Sequence, residues 1–321
     1  MELLGIQVAV IVVTASIMLS GIILGIGRAL GYRNVERFGV DELFQSIVNA
    51  AIVGSAVVIV ETIKGISASI VTPACSSGDA IVELGCMLGN VSTSTFSLLQ
   101  ETLTTMNIIG YYQTLVLNFG AFSIQPYTNL SGISAILSSQ ALTLNLLLIL
   151  VNLNAQIVSF FSQNALAVFF PIGLVLRSFF ATRKIGGFLI GIAIGLYILY
   201  PAFTLSFPVP DLTNETAQLK AFNANPFYAT VPIMSLNGND AIAAKIDNMT
   251  TKSNVSIGNS TYVADLSGDL TIITQTNANS ISKILLYAVI APLFSLIVTL
   301  VFIKEMAGAL GGEIQFKTEV I

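Results

Sequence analysis

Residues 133–180 form an apolar segment that meets its first charge only at Arg177, too long for one simple crossing of a bilayer and too short for three. As one helix of about 45 residues it would be about 65 Å long, against a bilayer core of about 30 Å. The segment therefore reads as a single long helix with its outer end beyond the hydrocarbon, bent at Pro171; a re-entrant break is the alternative. The rest of the chain agrees with a lipid-facing surface. Only 9% of the 321 residues are charged, 54% are hydrophobic and the mean hydropathy is +0.84, whereas a soluble domain carries roughly a quarter of its residues charged. A net charge of −4 and a pI near 4.8 exclude a long basic groove for nucleic acid. With no His and no Trp, imidazole metal sites, Ser-His-Asp triads and Cys-His dyads are excluded, and the chain reads as a protein with no cofactor, no metal and no catalytic residue.

Five crossings follow from hydropathy. Residues 3–26 end at Arg28, Arg33 and Arg37 and read as a retained helix, because a secretory signal would start basic and end at a small-residue cleavage site. Residues 43–63 return the chain outward and close with Glu61 and Lys64; residues 133–180 come next, and residues 188–207 and 284–303 supply the last two. All five arginines fall in two loops, at 28–37 and 177–183, which places those loops inside, the N-terminus outside and the C-terminus in the cytoplasm of a multi-pass plasma-membrane protein. The glycosylation candidates Asn90, Asn129, Asn214, Asn248, Asn254 and Asn259 all lie in segments this topology puts outside.

The expected architecture is thus an all-α polytopic membrane protein: about five transmembrane helices, an amphipathic helix and a small β-containing extracellular insertion. Residues 1–207 hold transmembrane helices 1–4 with an outer loop at 65–131, residues 208–283 form an extracellular cap, and residues 284–321 give the last crossing and a short cytoplasmic tail. Cys75 and Cys86 share the first outer loop, where their spacing suits a disulfide in an oxidising compartment, with two free thiols as the alternative. Within 93–118, Phe96, Leu99, Leu103, Met106, Ile109 and Val116 alternate with Gln100, Glu101, Thr104, Thr105 and Asn107, an amphipathic helix that lies at the interface, packs in the bundle or forms a sixth span. In the cap, the alternating stretches 254–257 and 270–274 predict short strands.

Three patterns are candidates for function. Ser138, Asn145, Asn152, Gln156, Ser159 and Gln163 fall at helical spacing on the long third span, a polar, uncharged stripe that lines a conduit or seals a subunit seam by interhelical hydrogen bonds. Gly21 with Gly25, and Gly187, Gly191 and Gly195, repeat every fourth residue and predict close helix packing. The cytoplasmic basic loop Arg177, Arg183 and Lys184 is the natural docking point for a partner or a phosphate backbone, although the positive-inside rule accounts for it unaided. No phosphate-binding loop is present; the glycines at 308, 311 and 312 lack the Lys-Ser/Thr partner, so directed transport would draw on a separate ATPase or a gradient.

The run from Arg177 through Ser178, Phe179, Phe180, Arg183 and Lys184 to Gly187, followed by a helix containing Gly191, Gly195 and Tyr197, resembles the polytopic membrane channel subunits of type IV secretion and conjugation systems. The likeness is to TrbL-like proteins and to the CedA-like DNA-exchange membrane proteins of archaea, and is specific over residues 165–201. The resemblance implies a non-catalytic channel or scaffold subunit of a DNA-transfer or pilus-type secretion machine, with a homo- or hetero-oligomer, membrane lipid, a secretion-type ATPase and DNA in transit as partners. With the sequons, it points to a glycoprotein of an archaeal cell surface. Two other readings stay open: a small-solute secondary transporter, disfavoured by the lack of internal repeats and buried charges, and a surface-anchored protein whose cap binds an extracellular partner.

Overall fold

The computed structural model describes residues 2–70, 75, 79–118, 120–179, 182–225, 253–257, 260–264 and 266–309. Helices α1 (Glu2–Ala29) and α2 (Arg33–Ile70) form a hairpin closed at Gly31, whose φ of +70° lets the Tyr32 amide donate to Gly27 O at 3.0 Å, the helix-ending bond of a Schellman motif. Two glycines set the approach of this pair. A Cβ on Gly27 would stand 2.7 Å from Glu36 N, and one on Gly39 2.8 Å from the Leu24 backbone.

Next come α3 (Ala80–Gln113), a short pairing of β1 (Leu117–Asn118) with β2 (Ser123–Ile124), and α4 (Ser131–Asn164). After α5 (Phe170–Arg177), α6 (Arg183–Ile194), α7 (Tyr200–Leu205) and α8 (Thr213–Asn223), the antiparallel hairpin β3 (Ser253–Ile257) and β4 (Ser260–Ala264) precedes α9 (Leu266–Leu285) and α10 (Ala291–Ala309).

Single π-helical turns, Ala165–Phe169, Gly195–Leu199 and Leu286–Ile290, join α4 to α5, α6 to α7 and α9 to α10, and each stands two residues before a proline, Pro171, Pro201 or Pro292. A proline inside a helix lacks its amide and crowds the carbonyl four residues back, and widening that turn relieves the crowding without breaking the rod. Pro171 accordingly follows a π turn within one helical stretch, Thr128–Arg177, as a single long helix was expected from the sequence.

Among the described residues, four helical stretches are long and apolar enough to cross a membrane: Gln7–Ala29, Thr128–Arg177, Arg183–Leu205 and Gly268–Ala309. Helix α2, bent by 51° between Ser55 and Val58, makes a fifth when taken as one broken span. The chain is thus an all-α membrane protein with four or five candidate spans.

Two compact units are present: Met1–Met87, Asn154–Pro208 and Ala291–Ile321 in the first, Leu88–Leu153 and Val209–Ile290 in the second. The core of the second unit follows a seven-residue repeat. On α3, Leu88, Val91, Thr95, Leu98, Thr102, Thr105, Ile109 and Tyr112 recur every three or four residues and are all at most 1% exposed; on α9, Leu270, Ile273, Asn277, Ser280 and Ile284 do the same. This is the spacing of coiled-coil packing. It overturns the strand expected at 270–274: a short alternating stretch was read at period two, but the burial continues at period 3.5 through Ile284, and the segment is helical. Of the cap expected over 208–283, the described parts are helical at α8 and at 266–283, and β3, which contains Asn254, pairs antiparallel with β4. Asn248, Asn259 and the tail beyond residue 309 lie outside the described residues.

Candidate functional site

The second unit contains a polar network where α3 meets α8 and α9. Asn223 Nδ2 donates to Glu101 O at 2.9 Å and to Glu101 Oε2 at 2.8 Å, while Thr105 Oγ1 donates to Asn223 Oδ1 at 2.8 Å. Asn277 Nδ2 donates to Thr102 Oγ1 at 3.2 Å, and Gln140 Nε2 of α4 to Thr274 O at 2.8 Å. The amide N–H groups of Asn223, Asn277 and Gln140 are met in this way, while Gln140 Oε1 and Asn277 Oδ1 accept no hydrogen bond among the described residues. The side of α3 that packs inward takes only part of its apolar series: Leu99 and Ile109 are buried, whereas Phe96 is 56% exposed and Leu103 45%, and Thr102 and Thr105 are buried beside them. Of the placements open for this helix, packing within a bundle is the one its residues adopt. Near the end of α3, Tyr112 stands edge-on to Tyr127 with ring centroids 6.0 Å apart, and burial pushes its hydroxyl up to about 12. At the start of α8, Thr213 donates from both its hydroxyl and its amide to Asp211, holding that exposed carboxyl below the ordinary carboxylate range.

At the basic end of the first unit, the arginines turn inward. Arg177 is only 7% exposed; its Nε donates to Asn49 Oδ1 at 3.2 Å and its carbonyl accepts from Asn49 Nδ2 at 3.2 Å. Arg183 Nη2 reaches both oxygens of Glu42, at 3.1 and 3.0 Å. Ser16 of α1 bonds Ser46 at 2.9 Å and donates to Ser178 O at 3.2 Å. Of the three cations of the basic loop, only Lys184 is exposed; Arg177 bonds Asn49 and Arg183 bonds Glu42, both on α2. Phe180 and Ala181 lie outside the described residues. The partners Glu42, Ser46 and Asn49 were not singled out from the sequence, yet their spacing of four and three residues on a mostly apolar helix is the signal that would have found them.

Small residues set the packing in the same unit. A Cβ on Gly186 would stand 2.3 Å from Arg177 N, one on Gly191 3.3 Å from Ile303 O, and one on Gly195 2.9 Å from the Ile303 side chain. Gly187 is buried on α6. Gly21 and Gly25 differ, since a Cβ on either meets nothing within 4 Å; in α1 the close approach is made by Gly27 instead. Cys75 and Cys86 are joined as a disulfide, with the Cys75 amide donating to Glu83 Oε1 at 2.8 Å, and Tyr197 OH donates to Asp79 just before α3. Asn90, Asn129 and Asn214 are exposed.

Helix α4 has two dissimilar sides. Leu137, Leu144, Val151, Val158 and Ala165, spaced by seven into the following π turn, are at most 1% exposed. The polar stripe lies elsewhere on the cylinder: Asn145, Asn152, Gln156, Ser159 and Gln163 are exposed and Ser138 is half-buried. Ser92 of α3 donates to Asn152 Oδ1 at 3.0 Å, Asn152 Nδ2 donates to Leu148 O at 2.9 Å, and Gln163 Nε2 donates to Ser159 Oγ at 3.3 Å. The side chains of Ser138, Asn145 and Gln156 make no hydrogen bond among the described residues. Beside the stripe run Leu142, Leu146, Ile149, Leu153 and Phe160, each 51–69% exposed. No group of three or more His, Cys, Asp or Glu able to hold a metal occurs among the described residues. No family model matches the chain, and neither does any curated protein or solved structure.

Proposed function

We propose that this chain is a membrane-embedded, non-catalytic channel or scaffold subunit of a multi-subunit machine, of the DNA-transfer or pilus-type secretion class, driven by a separate ATPase. The observation that carries the reading is the uncovered side of α4: an uncharged face, part amide and part leucine, that the chain's own core leaves open. A transporter acting alone closes its polar pathway inside its own bundle, whereas a subunit completes it with neighbours. The likeness of 165–201 to TrbL-like and CedA-like subunits supplies the class of machine.

In this reading the arginine-bearing ends face the cytoplasm, the N-terminus is outside, and residues 208–283 lie outside, with α8, the β3–β4 pair and the start of α9 as their described elements. A hydrocarbon core of about 30 Å takes about 20 helical residues, which counted back from Arg177 ends near residue 157. The Phe161 ring meets Tyr200 with centroids 6.0 Å apart, so both helices leave the core at similar depth, since α7 itself ends at Leu205. Ser159 and Gln163 then stand in the outer part of the bilayer, while Ser138, Asn145 and Asn152 stand beyond it.

The test is twofold. Extracted in mild detergent, the chain should migrate in an assembly of several chains, and cells lacking it should lose DNA transfer while keeping growth and solute uptake. A purified monomer that carries out uptake of a small solute in vesicles removes this reading and establishes the transporter in its place.

A further inference from the structure

The first turns of α2 carry a stripe that changes character along its length. Arg33, Arg37, Val40, Phe44 and Ile47 are spaced by four, three, four and three residues, so they fall on one side of the helix. All five are exposed, the three apolar ones by 45%, 65% and 53%. The two guanidiniums stand one turn apart and make no ion pair or hydrogen bond among the described residues. With Glu36, Val40 and Asp41 they line a cleft of about 430 Å³. Glu36 is engaged by Arg28 at 3.1 Å, which leaves Arg33 and Arg37 against Asp41 alone, a surplus of one positive charge. A second cleft of about 420 Å³ shares Val40 and Asp41 and continues past Phe38 and Phe44 to Glu42 and Arg183, whose charges cancel in their ion pair. One end of the stripe thus suits an anion and the other a hydrocarbon chain.

We propose that this stripe binds an anionic phospholipid, with Arg33 and Arg37 on the phosphate and Val40, Phe44 and Ile47 along an acyl chain. The dimensions agree: from Arg37 to Ile47 the helix rises about 15 Å, half of a hydrocarbon core of about 30 Å. A guanidinium presents a planar fork of N–H donors that matches two phosphate oxygens. Charge and position select this occupant over others. A second copy of the chain, inserted the same way, brings the same two arginines to the same depth and is repelled. A soluble phosphate satisfies the arginines and leaves Phe44 and Ile47 bare, and these two stand on the first arm of the broken span, Arg33–Ser55, where no soluble acidic protein reaches them. A zwitterionic lipid brings its phosphate together with a cation of its own, whereas an acidic lipid brings the negative charge alone. The site does not depend on the multi-subunit reading above.

Full-length protein in a neutral detergent is given equal amounts of phosphatidylglycerol and phosphatidylcholine with identical chains, and the lipid that stays bound is read by native mass spectrometry. The wild type should prefer phosphatidylglycerol by about five-fold, the effect of roughly one basic residue on an acidic lipid surface. Arg33→Gln with Arg37→Gln should bring that ratio to about one, with helicity unchanged because both side chains are exposed. Asp41→Asn removes the carboxylate that opposes the phosphate and should raise the preference, a gain that misfolding does not imitate. Lys304→Gln removes an exposed cation of the same unit outside the stripe and should leave the ratio as it is. Phe44→Gln with Ile47→Gln should lower the retention of both lipids. A wild-type ratio near one, an equal loss in the Lys304 variant, or no gain in the Asp41 variant overturns the proposal. Displacement of the bound lipid by excess inorganic phosphate also overturns it, and makes the cleft a site for a soluble anion.

Discussion

Glu42 holds Arg183 through both carboxylate oxygens, and with the two side chains 13% and 16% exposed the pair is largely withdrawn from solvent. Removing one member of such a pair leaves the other charge desolvated, so Glu42→Gln should cost about 3 kcal/mol, while Glu42→Gln with Arg183→Gln should recover most of that loss. Thermal unfolding in detergent reads both; a single variant as stable as the wild type contradicts this account of the pair. Tyr112 offers a pH test. Its hydroxyl titrates at about 12 in the folded chain and near 10 when unfolded, so its contribution is fully present below pH ~10 and is lost as pH rises towards ~12. Alkaline unfolding followed by far-ultraviolet dichroism should begin in that window, and Tyr112→Phe should move the onset upward.

Glycines give a contrast between helices. Gly186→Ala forces a methyl against the Arg177 backbone and should destabilise by about 3 kcal/mol, whereas Gly21→Ala meets open space and should be neutral or gain up to about 1 kcal/mol in helix propensity. Thermal unfolding of the two variants side by side gives the comparison, and equal losses would refute the packing described for α5 and α6. The same contrast shows how much was legible in the sequence. Four-residue glycine spacing named Gly191 and Gly195, which do press on Ile303, but spacing alone does not tell which side of a helix meets a neighbour, and so it named Gly21 and Gly25 as well. Long apolar runs gave the spans, because lipid demands a length of hydrophobic helix. The inward side of α3 was legible only in part: Leu99 and Ile109 are buried as an apolar face implies, but Thr102 and Thr105 are buried among polar partners from α8 and α9, distant in sequence, while Phe96 points outward. Register in a bundle is decided by the partner helices, and a local hydropathy pattern does not contain them. The π turns were equally hidden, although Pro171, Pro201 and Pro292 mark them in retrospect.

For the molecule as a whole, the orientation proposed from the arginine distribution makes a prediction about sidedness. Asn214→Cys, exposed at the start of α8, should react with a membrane-impermeant maleimide on intact cells, and Lys184→Cys only after permeabilisation. The reverse pattern inverts the topology, and labelling of both sites on intact cells excludes it. Arg177 adds a constraint in time. Its guanidinium and its carbonyl are both met by Asn49, a residue 128 positions earlier on a helix that α1 already holds through Gly27 and Gly39. An arginine leaves water at lower cost when its partner is in place, so the α1–α2 hairpin is expected to be seated before α5 settles against it. The order of residues along the chain would then also be an order of assembly, since synthesis delivers the receiving amide well ahead of the charge it accommodates.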